Sequence, residues 1–263
     1  MTFAALRDAA LLAALAAPAL ALDDPKVALV DPYDSGMLDY HQMRILGDPD
    51  RIALDPRVKV IGPASAEDSL HVPLMVDARG VPDVHRIVVF VDYGPIPKLL
   101  EFLPGDAEPA LSFRFKIDQS TPVRAAVETA DGSWLLGSTR IDAAGGGCTA
   151  PAAAYASDDW EERLGDVRAR IWPETGRVRV AVDHPMDTGL ADGIPVFIIE
   201  HLTLSDADGA ERAKVVLYEP VEEDPRFTFH FAPDRLTGPL RLTGRDNNGN
   251  LIDAEIPFAG LSQ

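Results

Sequence analysis

The sequence predicts an all-β protein: two immunoglobulin-like β-sandwiches joined by a Gly/Ala-rich linker, with a few short helices. Three observations predict it. Short runs alternate apolar and polar residues with period 2, as half-buried strands do. Turn dipeptides such as Asp131-Gly132, Asp208-Gly209 and Asn248-Gly249 punctuate these runs. The tract AAGGGCTAPAAAYA, residues 143–156, then divides the chain into two β-rich blocks, because its Gly and Ala residues cannot build a core.

The elements follow in order. Arg7, the apolar run 9–17, Pro18 and the small residues Ala19-Leu20-Ala21 read as an export signal over residues 1–21, which places the mature protein in the periplasm. The first β-sandwich spans 22–144. In it, residues 35–46 form a short helix with Ser35 as N-cap and Gly47 as stop signal. Strands follow at 72–76 and 84–91. Leu111, Phe113, Phe115 and Ile117 then alternate with Ser112, Arg114, Lys116 and Asp118, and Val123, Ala125 and Val127 continue the theme. Asp131-Gly132, a type I′ hairpin turn, leads into a last strand at 134–141. The linker takes 145–156 and the second sandwich 157–263. There, 158–164 is a short helix with an acidic start, closed by Gly165. Strands are marked by Val178, Val180 and Val182, by Phe227, Phe229 and Phe231, and by Ile252, Ala254 and Ile256.

Composition excludes several functions. Against 24 basic side chains stand 42 acidic ones, a formal charge of −18. Neither nucleic acid nor anionic lipid is expected as a partner, since the sequence shows no clustered Lys and Arg. The N-terminal apolar run is too short to span a bilayer. The six histidines show no zinc spacing, and the acidic runs 158–162 and 219–224 lack the calcium-loop pattern. Walker, GxGxxG and GxSxG motifs are missing too, so neither metal nor other cofactor is expected.

Cys148, the single cysteine, can form no intramolecular disulfide. It follows Gly145, Gly146 and Gly147 and precedes Thr149-Ala150-Pro151, where nothing local would bury it. On a flexible arm, half a dozen residues at ~3.3 Å each give a reach on the order of 20 Å, enough to enter a partner's cleft. A linker cysteine without a role explains the position equally well. No His, Lys or Arg stands close in sequence to activate the thiol, which suits a carrier better than an enzyme.

Three stretches together resemble the SoxY and SoxZ proteins of sulfur oxidation. Residues 107–148, ending IDAAGGGC, look like the end of SoxY with its Gly-Gly-Cys motif. The segment VAVDHPMDTG, 180–189, is similar to the SoxZ segment carrying His-Pro-Met-Glu-Thr-Gly, with Asp187 in place of Glu. RLTGRDNNGNLIDAEIPF resembles the closing SoxZ hairpin. The resemblance implies a fusion of SoxY and SoxZ, similar to carriers associated with quinoprotein dehydrogenases. It further implies that Cys148 holds thiosulfate-derived or sulfane sulfur through a sulfur–sulfur bond, on a hinge of Gly145 to Gly147. SoxY ends soon after its cysteine, whereas here a whole block follows. His184, Pro185, Met186, Asp187, Thr188 and Gly189 become a candidate interface turn without catalysis.

Two functions follow as expectations. The first is a non-enzymatic carrier that presents sulfur species on Cys148 to periplasmic redox enzymes or cytochromes. The second is a docking subunit of a quinoprotein dehydrogenase system in which the thiol is secondary. The acidic composition predicts partners with basic patches.

Overall fold

A computed structural model describes residues 29–258; the export signal read at 1–21 lies outside them. The first block holds α1 (Leu38–Ile45), β1 (Ile52–Leu54), β2 (Lys59–Ile61), β3 (Val72–Asp77), β4 (Val84–Val91), β5 (Lys98–Leu103), β6 (Ala110–Phe115), β7 (Thr121–Thr129) and β8 (Trp134–Ile141). The second holds α2 (Trp160–Arg163), β9 (Val167–Trp172), β10 (Arg177–Val182), β11 (Asp187–Thr188), β12 (Val196–Phe197), β13 (Ile199–Ser205), β14 (Glu211–Leu217), β15 (Arg226–His230), β16 (Leu240–Asp246) and β17 (Leu251–Ile256). The fold is all-β, as the alternation predicts.

The strands form a nine-stranded sheet, β1-β8-β7-β4-β5-β14-β13-β16-β17, over a six-stranded sheet, β2-β3-β6-β15-β10-β9, beside the small pair β11-β12. Both large sheets run through both blocks. β5 pairs antiparallel with β14, and β6 with β15. Reading outward from these two seams, the strand orders of the blocks mirror each other: β5-β4-β7-β8 against β14-β13-β16-β17, and β6-β3-β2 against β15-β10-β9. The chain is thus one seven-strand unit used twice around a pseudo-twofold axis. One core fills both halves, with Phe102, Phe113 and Phe115 from the first and Phe227, Phe229 and Phe231 from the second. Phe102 and Phe229 meet across the seam at 5.9 Å. Each such ring contributes about 2 kcal/mol by burial.

Smaller differences from the sequence reading have local reasons. α1 lacks a side-chain N-cap; Ser35 instead accepts the N–H of Met37 and donates to Asp31. Its Leu38 and Leu46 cover Val88, Phe90 and Leu136 on the outer face of the nine-stranded sheet, which is why β4 is apolar on both faces. The 131–132 hairpin forms, but its turn is not type I′. Only Gly132 takes a positive φ (77°), and its N–H closes on the Thr129 carbonyl at 2.8 Å.

Candidate functional site

The site sits where β6 and β10 end on the two sides of β15. Both run antiparallel to β15, which lies between them, so they point the same way and their following residues, Lys116 to Asp118 and Asp183 to Thr188, share one end of the sandwich. Into this end comes the chain leaving β8. Gly146 N–H donates to the Asp118 carbonyl at 3.3 Å and Gly147 N–H to the Ile117 carbonyl at 3.0 Å, so two main-chain hydrogen bonds dock the arm on residues 117–118.

The glycines serve close approach here. A Cβ on Gly147 would stand 2.2 Å from the Ser69 carbonyl oxygen and 2.7 Å from that of Ile117. On Gly145, at φ +97°, it would stand 2.4 Å from the Asp118 oxygen. Only a residue without Cβ fits at either place. The freely swinging arm read from the three glycines is therefore a docked arm in this structure.

Cys148 is correspondingly buried, at 3% exposure, contrary to the exposed thiol expected from its neighbours in sequence. Its S–H points to the Lys116 carbonyl at 3.7 Å. Burial, helped by the Asp118 carboxylate and opposed by the Lys116 ammonium, pushes the thiol pKa up to about 11. At neutral pH the docked sulfur is a thiol, a poor nucleophile.

What closes over it is the 184–189 turn. Thr188 Oγ1 donates to the Cys148 carbonyl. Asp187, buried, accepts the Ala152 N–H at 3.3 Å and the Tyr155 hydroxyl, which with burial raises the phenol's pKa. Glu223 accepts the N–H groups of Ala153 and Ala154 at 2.7 and 2.6 Å. The stretch 145–156 is thus pinned to both halves, so it does not act as a slack linker. Met186, at φ +49°, turns its carbonyl to Lys116 Nζ at 2.5 Å, while its Sδ accepts the Ile199 N–H at 3.2 Å. Gly189, at φ +77°, packs against Val196, and a Cβ there would come 2.5 Å from the valine side chain. Pro185 joins His184 in lining a small cleft with Trp160 and Asp224.

His184 is the keystone of the turn. Its Nδ1 accepts the Met186 N–H at 3.0 Å, which requires the proton on Nε2, 3.5 Å from Asp246. Its ring packs on Phe197 at 4.4 Å. Burial holds its pKa down to about 4, although Asp246 pulls the other way. At neutral pH the imidazole is therefore neutral.

Lys116 was hidden in the sequence. Its place in the alternation puts it on the solvent face of β6, yet it is 4% exposed because the second block covers it. Desolvation lowers its pKa, opposed by Asp187, Glu223, Cys148 and Glu222. Glu222 is itself buried and raised by desolvation, with His71 on it at 2.9 Å. Among the described residues, no three His, Cys, Asp or Glu side chains are arranged to hold a metal. No helix there is long and apolar enough to cross a membrane.

The comparisons with known proteins bear on this end of the molecule. Residues 42–148 match the family model of the sulfur oxidation protein SoxY. The SoxY match ends on Cys148, at the tip of the docked arm. No curated protein matches the chain. Among solved structures, the sulfur carrier protein SoxY from Chlorobium limicola f thiosulfatophilum is 20% identical, with a TM-score of 0.36, covering 41% of this chain and 97% of that one. A superoxide reductase (neelaredoxin) from Ignicoccus hospitalis is 19% identical, with a TM-score of 0.29, covering 32% and 78%.

Proposed function

We propose that this chain is a periplasmic sulfur carrier, a SoxY-like half and a SoxZ-like half fused in one polypeptide, and that it is not itself an enzyme. The observation that carries the reading is the SoxY match that terminates on Cys148, the only cysteine, at the end of a Gly-Gly-Gly arm. The second half supplies the clamp: Thr188 and Asp187 from the candidate interface turn hold the Cys148 carbonyl and the segment that follows the thiol.

The docked state is the resting state. Loading requires the arm to lift, which breaks the two backbone hydrogen bonds of Gly146 and Gly147 and the Thr188 bond. Each is worth about 1 kcal/mol net, so lifting is a thermally accessible opening. In water the thiol regains its ordinary pKa and its thiolate becomes available. Joining that thiol to thiosulfate through a sulfur–sulfur bond releases one proton and two electrons. The electrons go to a redox partner such as a periplasmic cytochrome or, if this carrier serves one, a quinoprotein dehydrogenase system. Sulfane transfer from a persulfide donor needs no such acceptor.

Burial of Cys148 favours a second reading, in which the protein is a docking subunit of such a dehydrogenase and the thiol is secondary. Cys148→Ser separates the two. Unchanged pathway function in the variant favours the docking subunit, and lost function with normal folding favours the carrier.

A further inference from the structure

The composition predicts no cluster of basic residues, yet strand pairing makes one. On the outer face of β15, β10 and β9 the register lines up three rows: His230, Arg177 and Trp172; Thr228, Arg179 and Arg170; Arg226, Ala181 and Arg168. The alternate residues Val178, Val180 and Val182 point into the core, which fixes the arginines outward. Arg177 and Arg170 stack on the Trp172 ring at 3.9 and 4.9 Å. A cleft of about 290 Å³ opens among Arg168, Arg170, Trp172, Arg179 and Arg226.

Little among the described residues neutralises this face. Asp183 pairs with Arg168, with Asp224 and Asp166 further off, and Glu222 attracts Arg226 from a distance. Among the described residues, no carboxylate reaches ion-pair distance of Arg170, Arg177, Arg179 or Arg226. Arg170 and Arg179 stand directly opposite each other, a like-charge cross-strand pair that costs stability. In a chain of charge −18 this face is a local reversal of sign, complementary to an acidic surface.

We infer that this Arg/Trp face of β9, β10 and β15 is the docking surface for an acidic patch on a separate partner protein. The guanidinium groups spread over three strands, a width of about 10 Å, which suits several carboxylates on a protein surface better than one small anion. Arg and Trp are also the residues on which interfaces concentrate their affinity. Position adds to the case: β10 carries Arg177, Arg179 and Ala181 and runs straight on through Asp183 into the 184–189 turn that covers Cys148. A partner seated on the face stands beside the arm; this last link rests on the carrier reading, whereas the docking face does not. The expectation of partners with basic patches is revised for this side of the molecule.

The test is a fluorescence titration of the full chain with a dye-labelled oligoglutamate peptide at low salt and at a salt several-fold higher. The expected result is saturable binding that weakens as salt rises. It weakens at least ~10-fold further in Arg170→Gln/Arg179→Gln and measurably in Arg226→Gln. It stays unchanged in Cys148→Ser and in Arg241→Gln/Arg245→Gln, which removes two exposed arginines of β16. Equal weakening in both double variants, or none in either, overturns the proposal. Stoichiometric displacement of the peptide by sulfate or thiosulfate would assign the face to a small oxyanion and overturn it. So would self-association by sedimentation that the Arg170/Arg179 variant abolishes, which would assign the face to a second copy. Because Cys148→Ser leaves the peptide signal intact, failure of the docking face and failure of the carrier reading are read separately.

Discussion

The two ends of the sandwich are built from the same unit and do different things. At the end described above, the connection from β10 to β13 is long, residues 183–198, and folds over the arm. At the opposite end, the pseudo-equivalent connection from β3 to β4 is short, residues 78–83, and carries Arg79 paired with Asp77 and Glu108 on the surface. The pairing of strands is common to both ends, so the difference lies in the inserted loop and in what it can bury. A repeated scaffold holds the core while one lengthened loop and one glycine arm make a site.

The largest effect expected from this contrast is electrostatic. His184 has its folded pKa pushed down to about 4 from 6.5, so the unfolded chain binds the proton more tightly. Stability from the neutral ring is complete above about pH 6.5 and is lost as pH falls towards 4, by up to ~3 kcal/mol. Urea unfolding at pH 7 and pH 4 shows that extra loss in the native chain and lacks it in His184→Asn. Equal losses in the two would break the account of the clamp's keystone.

Next comes the arm. Gly147→Ala places a methyl group 2.2 Å from the Ser69 oxygen, so the arm must lift. A thiol returning from a pKa of about 11 to 9.0 gains ~100-fold in thiolate fraction at pH 8. Its rate with an aromatic disulfide reagent rises by about that factor. Gly146→Ala meets open space and changes the rate far less, its cost being the strain of φ +84° alone.

Smaller still is Thr188→Val, which removes one hydrogen bond to the Cys148 carbonyl worth about 1 kcal/mol. The reaction rate rises by roughly fivefold. At the opposite end, Arg79→Gln removes exposed ion pairs and leaves the thiol's rate unchanged within error. A change there would mean the two ends are coupled, which nothing in the shared core requires.

Much of this was legible in the sequence. Period-2 runs announced β6, β7, β10, β15 and β17, β-branched runs announced β3 and β4, and the Asp131-Gly132 turn announced β8. Cys148 stood out by residue type and the 184–189 turn by its resemblance to SoxZ. Their meeting did not, because Thr188 and Cys148 are forty residues apart and a hydrogen bond between side chain and backbone leaves no periodic trace. The seams were equally silent. β5 and β14 pair across blocks through main-chain groups that every residue carries. Lys116 misled for the same reason: alternation assigns a face, and only the partner block decides whether that face is wet. Arg177 and Arg179 alternate with the valines of β10 in the sequence, but their juxtaposition with Arg170 and Arg168 of β9 is a property of register.

The measurement that bears most directly on the carrier reading is the intact mass of the protein recovered from its native cells, before and after a thiol reductant, with peptide mapping across residues 142–160. A reductant-sensitive sulfur adduct on Cys148, absent in Cys148→Ser, is the predicted result. A bare thiol that persists after incubation with sulfur donors and their loading enzymes, in native protein and in Gly147→Ala alike, would contradict it.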